Sequence, residues 1–209
     1  MLGIYGGTFD PVHHGHLRAA LEVKQLLQLE AVRFVLSAVP PHRGAPCVDG
    51  EKRFQLLQLA LEASEGFTAD RRELDREGPS YMIDTLQSFR QDFPDTPISL
   101  ILGMDAFLGL PGWHRWRDLF KFAHVVVTNR ADVAPQMDEI LRNEITPLRC
   151  SEPAQLRQST HGLVYSCRIS NLEVSASRIR ADLARGLSTQ YLVPEAVRRE
   201  IQAQGLYVS

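Results

Sequence analysis

Cysteine is scarce, with Cys47, Cys150 and Cys167 the only three in 209 residues. They are odd in number, widely spaced and never in C-x-x-C, which excludes a disulfide framework and a thiolate zinc site and makes a reducing cytoplasm the natural compartment. Long apolar runs are also missing. None approaches the roughly 18 to 20 residues that span a bilayer, and Met1 leads into LGIYGG without a charged leader and apolar h-region, so neither membrane insertion nor export is expected. Basic charge is not in excess. With 23 Lys and Arg against 25 Asp and Glu, the net charge is −2, which is not the footprint of a protein that grips a nucleic-acid backbone. The two commonest phosphate loops are absent as well: there is no G-x-x-x-x-G-K-[ST], and no G-x-G-x-x-G follows the first apolar run.

What is present is an ordinary globular composition, 44% hydrophobic and 23% charged, enough for one substantial core. Apolar runs with strand character, LGIYG, VRFVLS at 32–37, PISLILG and AHVVVTN, alternate with helical spacings. The helical segments are Ala19 to Leu27, Phe54 to Leu61 and Ser80 to Phe93, and Pro194 and Gly205 punctuate a last helix. Strands apolar on both faces that alternate with helices predict an α/β fold, doubly wound around a mostly parallel sheet with helices on both faces. We expect a single domain over 1–209, with 175–209 a helical C-terminal portion. In such a fold ligands bind beyond the carboxyl ends of the strands, so the loops after the strands are the places to search.

The stretch that most needs explaining is GGTFDPVHHGHL, Gly6 to Leu17. Gly6 and Gly7 let backbone approach a ligand closely, and a helix beginning near His16 would present unpaired N–H groups and a positive dipole end, which favours an anion, phosphate first. His13 and His16, three apart, can offer two imidazole N–H donors to one phosphate, while His14 points elsewhere. A glycine-rich turn with exposed histidines, or a zinc site of His13, His14 and His16, would use the same residues. The crowding speaks against the turn, and the spacing matches no usual zinc pattern. Far downstream, SASRIR combines a helix-capping Ser175 with Ser177 and, one turn on, Arg180, all suited to phosphate.

Together, GGTFDPVHHGHL with its H-x-G-H and the late SASRIR resemble the signatures of nucleotidyltransferases that transfer an adenylyl or cytidylyl group from a nucleoside triphosphate. VPPHR at 39–43, GPSYMIDTL at 78–86, LILGMDAFLGLPGWHRW at 100–116 and VVVTNR at 125–130 closely resemble segments of the bacterial nicotinate mononucleotide adenylyltransferases. The likeness runs from Leu2 to about Arg180 and implies a Rossmann-like nucleotidyltransferase fold. It also implies transfer of the adenylyl group of ATP to nicotinate mononucleotide, with pyrophosphate released, by direct in-line attack on the α-phosphate in NAD biosynthesis.

Carried over residue by residue, the resemblance assigns ATP to Gly6, Gly7, Thr8, Phe9, His13, His16, Gly103, Asp105, Ser177 and Arg180, with His13, His16 and Arg180 catalytic. His42 and Arg43 reach phosphate from the second loop. Tyr81, Met82, Trp113 and His114 receive the mononucleotide, with Trp113 stacking on the pyridine ring and Trp116 left to the core. The residue after Tyr81 usually carries a hydroxyl in this family, and Met82 retains only main-chain recognition. No carboxylate cage is evident, so Mg²⁺ is expected to arrive on the ATP phosphates and not on protein ligands. Two rivals share the early and late motifs: another small-substrate adenylyltransferase, for example one acting on phosphopantetheine, and a non-catalytic nucleotide-binding regulatory module. GPSY and the Trp113 segment speak against the first, and the intact His13, His16 and Arg180 against the second.

Overall fold

The computed structural model describes residues 1–40, 44–129, 137–170 and 172–208. The four apolar runs form strands β1 (Leu2–Gly7), β2 (Ala31–Leu36), β4 (Ile98–Gly103) and β5 (His124–Asn129). Three strands escape the sequence pattern: β3 (Phe67–Asp70), β6 (Arg149–Cys150) and β7 (Val164–Arg168). All three lie toward the sheet margins, are short, and lack a continuous apolar run, because only central strands of a parallel sheet are covered on both faces. The sheet has seven strands in the order β3-β2-β1-β4-β5-β7-β6, and every pair is parallel.

Alternation along the strands divides the core between two faces. Val32, Phe34, Leu36, Ile101 and Val126 point to one face and pack with residues of α1 (His14–Leu27), α2 (Gly50–Leu61), α6 (Ala176–Ala184) and α7 (Glu195–Gln204). Ile4, Val35, Leu100, Leu102, Val125 and Val127 point to the other, against α3 (Met82–Asp92), α4 (Met104–Leu108), α5 (Glu139–Ile145) and Trp116. Trp116 is buried, as its helical spacing implied. Pro194 is the N-cap of α7, and Gly205 ends it at φ 60°, a left-handed conformation that glycine adopts at little cost.

Two boundaries differ from expectation. The first helix begins at His14 with His13 as its N-cap, not near His16. The third begins at Met82, because Ser80 is held outside it by bonds to the loop after β2.

The connection from β1 goes to β2 on one side, while β4 lies on the other, so the strand order reverses between β1 and β4. The carboxyl ends of those two strands flank a crevice of the kind that binds nucleotides in open α/β sheets. The loop from Thr8 to His13 and the turn from Gly103 into α4 stand at its mouth.

Candidate active site

The H-x-G-H turn closes the end of β1 in an ordered way. His13 caps α1, and its backbone N–H donates to His16 Nδ1 at 3.3 Å. A ring nitrogen that accepts an N–H carries no proton, so Nε2 of His16 is its donor face. The two imidazoles stack, centroids 3.6 Å apart and 25° from parallel. A Cβ on Gly15 would meet the His13 ring at 3.0 Å, so the glycine between the histidines makes room for the stack. His14 turns away toward Gln190, Tyr191, Val193, Glu195 and Arg199.

Gly6 and Gly7 relate to their neighbours differently from the expected open cradle. A Cβ on Gly6 would meet the Met82 methyl at 2.5 Å, and one on Gly7 the Phe9 ring at 2.8 Å. The small residues let α3 and Phe9 close onto the strand end. Phe9 is 2% exposed, and its ring sits among Tyr5, His16 and Phe34. Its side chain therefore belongs to the core beneath the turn, and what it presents to the crevice is backbone.

The late motif meets this turn across the sheet end. Ser175 caps α6 by accepting the Arg178 N–H at 3.3 Å. Arg180 donates through Nη1 to the Asp10 carbonyl at 2.7 Å, and its Nη2 lies 3.4 Å from Ser177 Oγ. Ser177 is exposed, and the Arg180 side chain is 28% exposed, so both keep a side toward solvent. Across the switch point, a Cβ on Gly103 would meet nothing within 4 Å, and Asp105 is exposed in the first turn of α4.

On the other flank, Tyr81 and His114 stack with centroids 4.4 Å apart, which brings the 78–86 and 113–114 segments together. Trp113 is half-buried beside them and packs on the second core. His42 and Arg43 lie outside the described residues.

Three residues that hold these loops have no site role legible in the sequence, although Ser80 lies within GPSYMIDTL. Arg53, in α2 and 1% exposed, donates to the carbonyls of Val48, Thr8, Ser37 and Ala38 at 2.7 to 3.1 Å. It thus ties the loop after β1 to the loop after β2. Burial lowers its pKa, and Asp10 opposes that shift. Ser80 Oγ accepts the N–H groups of Ala38 and Val39 at 3.0 and 3.1 Å. Glu73 accepts the Thr85 hydroxyl at 2.5 Å, and burial pushes its carboxyl above the usual range. An arginine or glutamate within a polar-looking segment gives no local sign of such burial.

Among the described residues no group of three or more His, Cys, Asp or Glu could hold a metal ion, and Asp10 in the loop after β1 is engaged by Tyr207 and the Cys47 N–H. The donors facing the crevice are imidazole, guanidinium, hydroxyl and backbone N–H, a set suited to the oxygens of an anion that brings its own cation. No helix among the described residues is long and apolar enough to cross a membrane.

The cytidylyltransferase-like family model matches residues 4–182. A curated relative from Methylococcus capsulatus named "Probable nicotinate-nucleotide adenylyltransferase" is 48% identical over 99% of both sequences. One of the same name from Halorhodospira halophila is 45% identical over 99% of this chain and 94% of its own. The fold is shared with a Plasmodium falciparum nicotinic acid mononucleotide adenylyltransferase solved with NaAD, at TM-score 0.73 and 16% identity over 99% of this chain and 96% of that one. Identity of the order seen with the bacterial relatives, sustained over nearly the whole of both sequences, shows that this chain belongs to the nicotinate-nucleotide adenylyltransferase family.

Proposed function

We propose that this chain transfers the adenylyl group of ATP to nicotinate mononucleotide, forming nicotinate adenine dinucleotide and pyrophosphate. The observation that carries the reading is the meeting of the His13–His16 pair with Ser177 and Arg180 at the mouth of the crevice between β1 and β4. In that crevice the triphosphate lies along the N-terminus of α1, against the donors of His13, His16 and Arg180; His42 and Arg43, outside the described residues, are assigned to phosphate by the family likeness alone. Gly103 and Asp105 stand beside the adenosine, where the exposed carboxylate of Asp105 is free to accept ribose hydroxyls. The pyridine end lies toward α3 and Trp113, whose plane suits an aromatic ring. The Tyr81 N–H is taken by the Pro79 carbonyl at 3.0 Å, so the first-turn backbone N–H at Met82 and the neighbouring His114 are what suit an acceptor-only carboxylate.

The 5′-phosphate of the mononucleotide is already ionised at neutral pH, so its attack on the α-phosphorus needs no general base. The protein's work is alignment and charge stabilisation. His16, its Nδ1 occupied by the His13 N–H, offers Nε2–H to the oxygens on which charge grows, and Arg180 holds the departing pyrophosphate. A divalent cation, Mg²⁺ in our reading, neutralises charge on the phosphates that carry it in. The whole 1–209 sequence acts as one nucleotidyltransferase unit, with 175–209 as its helical C-terminal portion. The free thiols of Cys47, Cys150 and Cys167 support a cytoplasmic location.

The test is pyrophosphate release by the purified protein with ATP and Mg²⁺, comparing nicotinate mononucleotide with its amide under matched conditions. Marked preference for the acid is expected, since main-chain N–H groups remain to recognise it despite Met82. Equal use of both, or preference for the amide, would overturn the acceptor assignment. No release with either would overturn the reaction.

A further inference from the structure

Asp10 lies in the loop after β1 and is 5% exposed, yet it takes no part in the chemistry above. Its Oδ1 accepts the hydroxyl of Tyr207 at 2.9 Å, and its Oδ2 accepts the Cys47 N–H at 2.9 Å. Its backbone carbonyl accepts Arg180 Nη1 at 2.7 Å, while the same guanidinium nitrogen stays 3.8 Å from Oδ2. The cation assigned to the triphosphate therefore hydrogen-bonds the Asp10 backbone and keeps only a long ion pair, through Oδ2, with its carboxylate. Tyr207 stands just past α7, in a left-handed conformation at φ 63°, with Leu206 before it buried and bonded to the Ile201 carbonyl. Burial beside Asp10 keeps the phenol protonated, so it stays a donor.

A carboxylate buried beside a guanidinium closes on it unless its oxygens are committed elsewhere, because the direct charged pair is the stronger contact. Here one oxygen is committed to the Cys47 N–H and the other to Tyr207. Without the phenol, Oδ1 has lost its donor in a pocket nearly closed to water, and the carboxylate is left to tighten its 3.8 Å ion pair with Arg180 into a hydrogen-bonded one. Tightening that pair would draw the guanidinium from Ser177 and spend its charge inside the protein.

We propose that Tyr207 is a positioning residue for the ATP site: by occupying Asp10 Oδ1 it keeps the carboxylate from capturing Arg180, and so leaves the guanidinium available to the triphosphate. The inference rests on Arg180 and Ser177 receiving ATP phosphates.

The experiment compares the wild-type protein with Tyr207→Phe, Asp10→Asn and the double variant. It measures KM for ATP and for nicotinate mononucleotide, equilibrium binding of a non-hydrolysable ATP analogue, and the thermal midpoint as a control for folding. Tyr207→Phe is expected to weaken both ATP measures about tenfold, the scale of one charged hydrogen bond. The mononucleotide KM should stay within about twofold. Asp10→Asn cannot form an ion pair with Arg180, so adding it to Tyr207→Phe should restore most of the lost ATP affinity. A merely structural latch would lower every parameter together and show no such rescue.

Unchanged ATP affinity in Tyr207→Phe, an equal rise in both KM values, or a double variant as weak as Tyr207→Phe alone would overturn the inference. Should Asp10→Asn fail to fold, the split between the two KM values in Tyr207→Phe decides alone. A wild-type protein that binds the analogue but releases no pyrophosphate would refute the proposed reaction instead, and the binding measurement would still judge Tyr207.

Discussion

Replacing Arg53 with methionine should cost this protein far more stability than its place in an unremarkable stretch, GEKRFQLL, implies. Methionine keeps most of the side-chain volume and removes every donor. The native guanidinium is 1% exposed and satisfies four carbonyls, of which Thr8 at 2.7 Å, Ser37 at 2.8 Å and Ala38 at 3.1 Å belong to two different loops. Each charged hydrogen bond is worth about 1.5 to 3 kcal/mol, but removing the buried charge also returns its desolvation cost. The net loss on breaking such an arrangement is about 3 to 5 kcal/mol, because the carbonyl acceptors remain buried and lose their donor. For a chain of this size each kcal/mol moves the midpoint by about 2 to 4 °C, so 4 kcal/mol predicts a fall of about 8 to 16 °C. Thermal unfolding followed by circular dichroism, with calorimetry to confirm a single transition, measures it. The same variant should lose kcat/KM at temperatures where it is still fully folded, since Thr8 and Ser37 no longer share an anchor. A fall below about 3 °C would show that the four bonds are replaced by solvent or repacking, and would refute the reasoning.

Two further outcomes follow from the geometry. His16→Ala removes the Nε2–H donor and should lower kcat by roughly a hundredfold or more. Loss of the contact with the His13 N–H should move the midpoint by only about 2 to 4 °C, the scale of one helix cap; an unchanged kcat in steady-state assays would remove His16 from the chemistry. His124 is fully buried in β5, accepts the Leu163 N–H on Nδ1 at 3.1 Å and faces the Ser159 carbonyl through Nε2 at 3.0 Å. Burial holds its pKa below the ordinary value, so on acidification the unfolded chain takes up a proton before the folded one. Its stability contribution is therefore present above the unfolded value, about 6.5, and is lost as pH falls through that value toward the folded one. Chemical denaturation of wild type and His124→Gln between about pH 7 and 5 should show a shallower dependence in the variant; parallel slopes would contradict this.

The strands that could be read directly are those covered on both faces. ISLIL, but for the buried Ser99, and VVV are apolar because α/β packing buries both sides of the sheet centre, whereas Val164–Arg168 alternates and carries an exposed Arg168. Within the site, His13, Gly15 and His16 declare themselves because one helix turn sets their distances. The burial of Phe9 and the closing of Met82 over Gly6 were not legible, since each depends on what a distant strand or helix brings alongside.

The sequence alone determined the alternation of strands and helices, the loops that had to face a nucleotide, and the residue chemistry at the first and last motifs. All of these rest on periodicities and spacings of a few residues that local geometry enforces. The tertiary structure decided which polar groups hold that chemistry in place. Arg53 reaches Thr8 across 45 residues, Arg180 reaches Asp10 across 170, and Tyr207 reaches Asp10 across 197. Such partners leave no periodic trace, because a buried donor requires only that an acceptor arrive within about 3 Å once the chain has folded, whatever the separation along it.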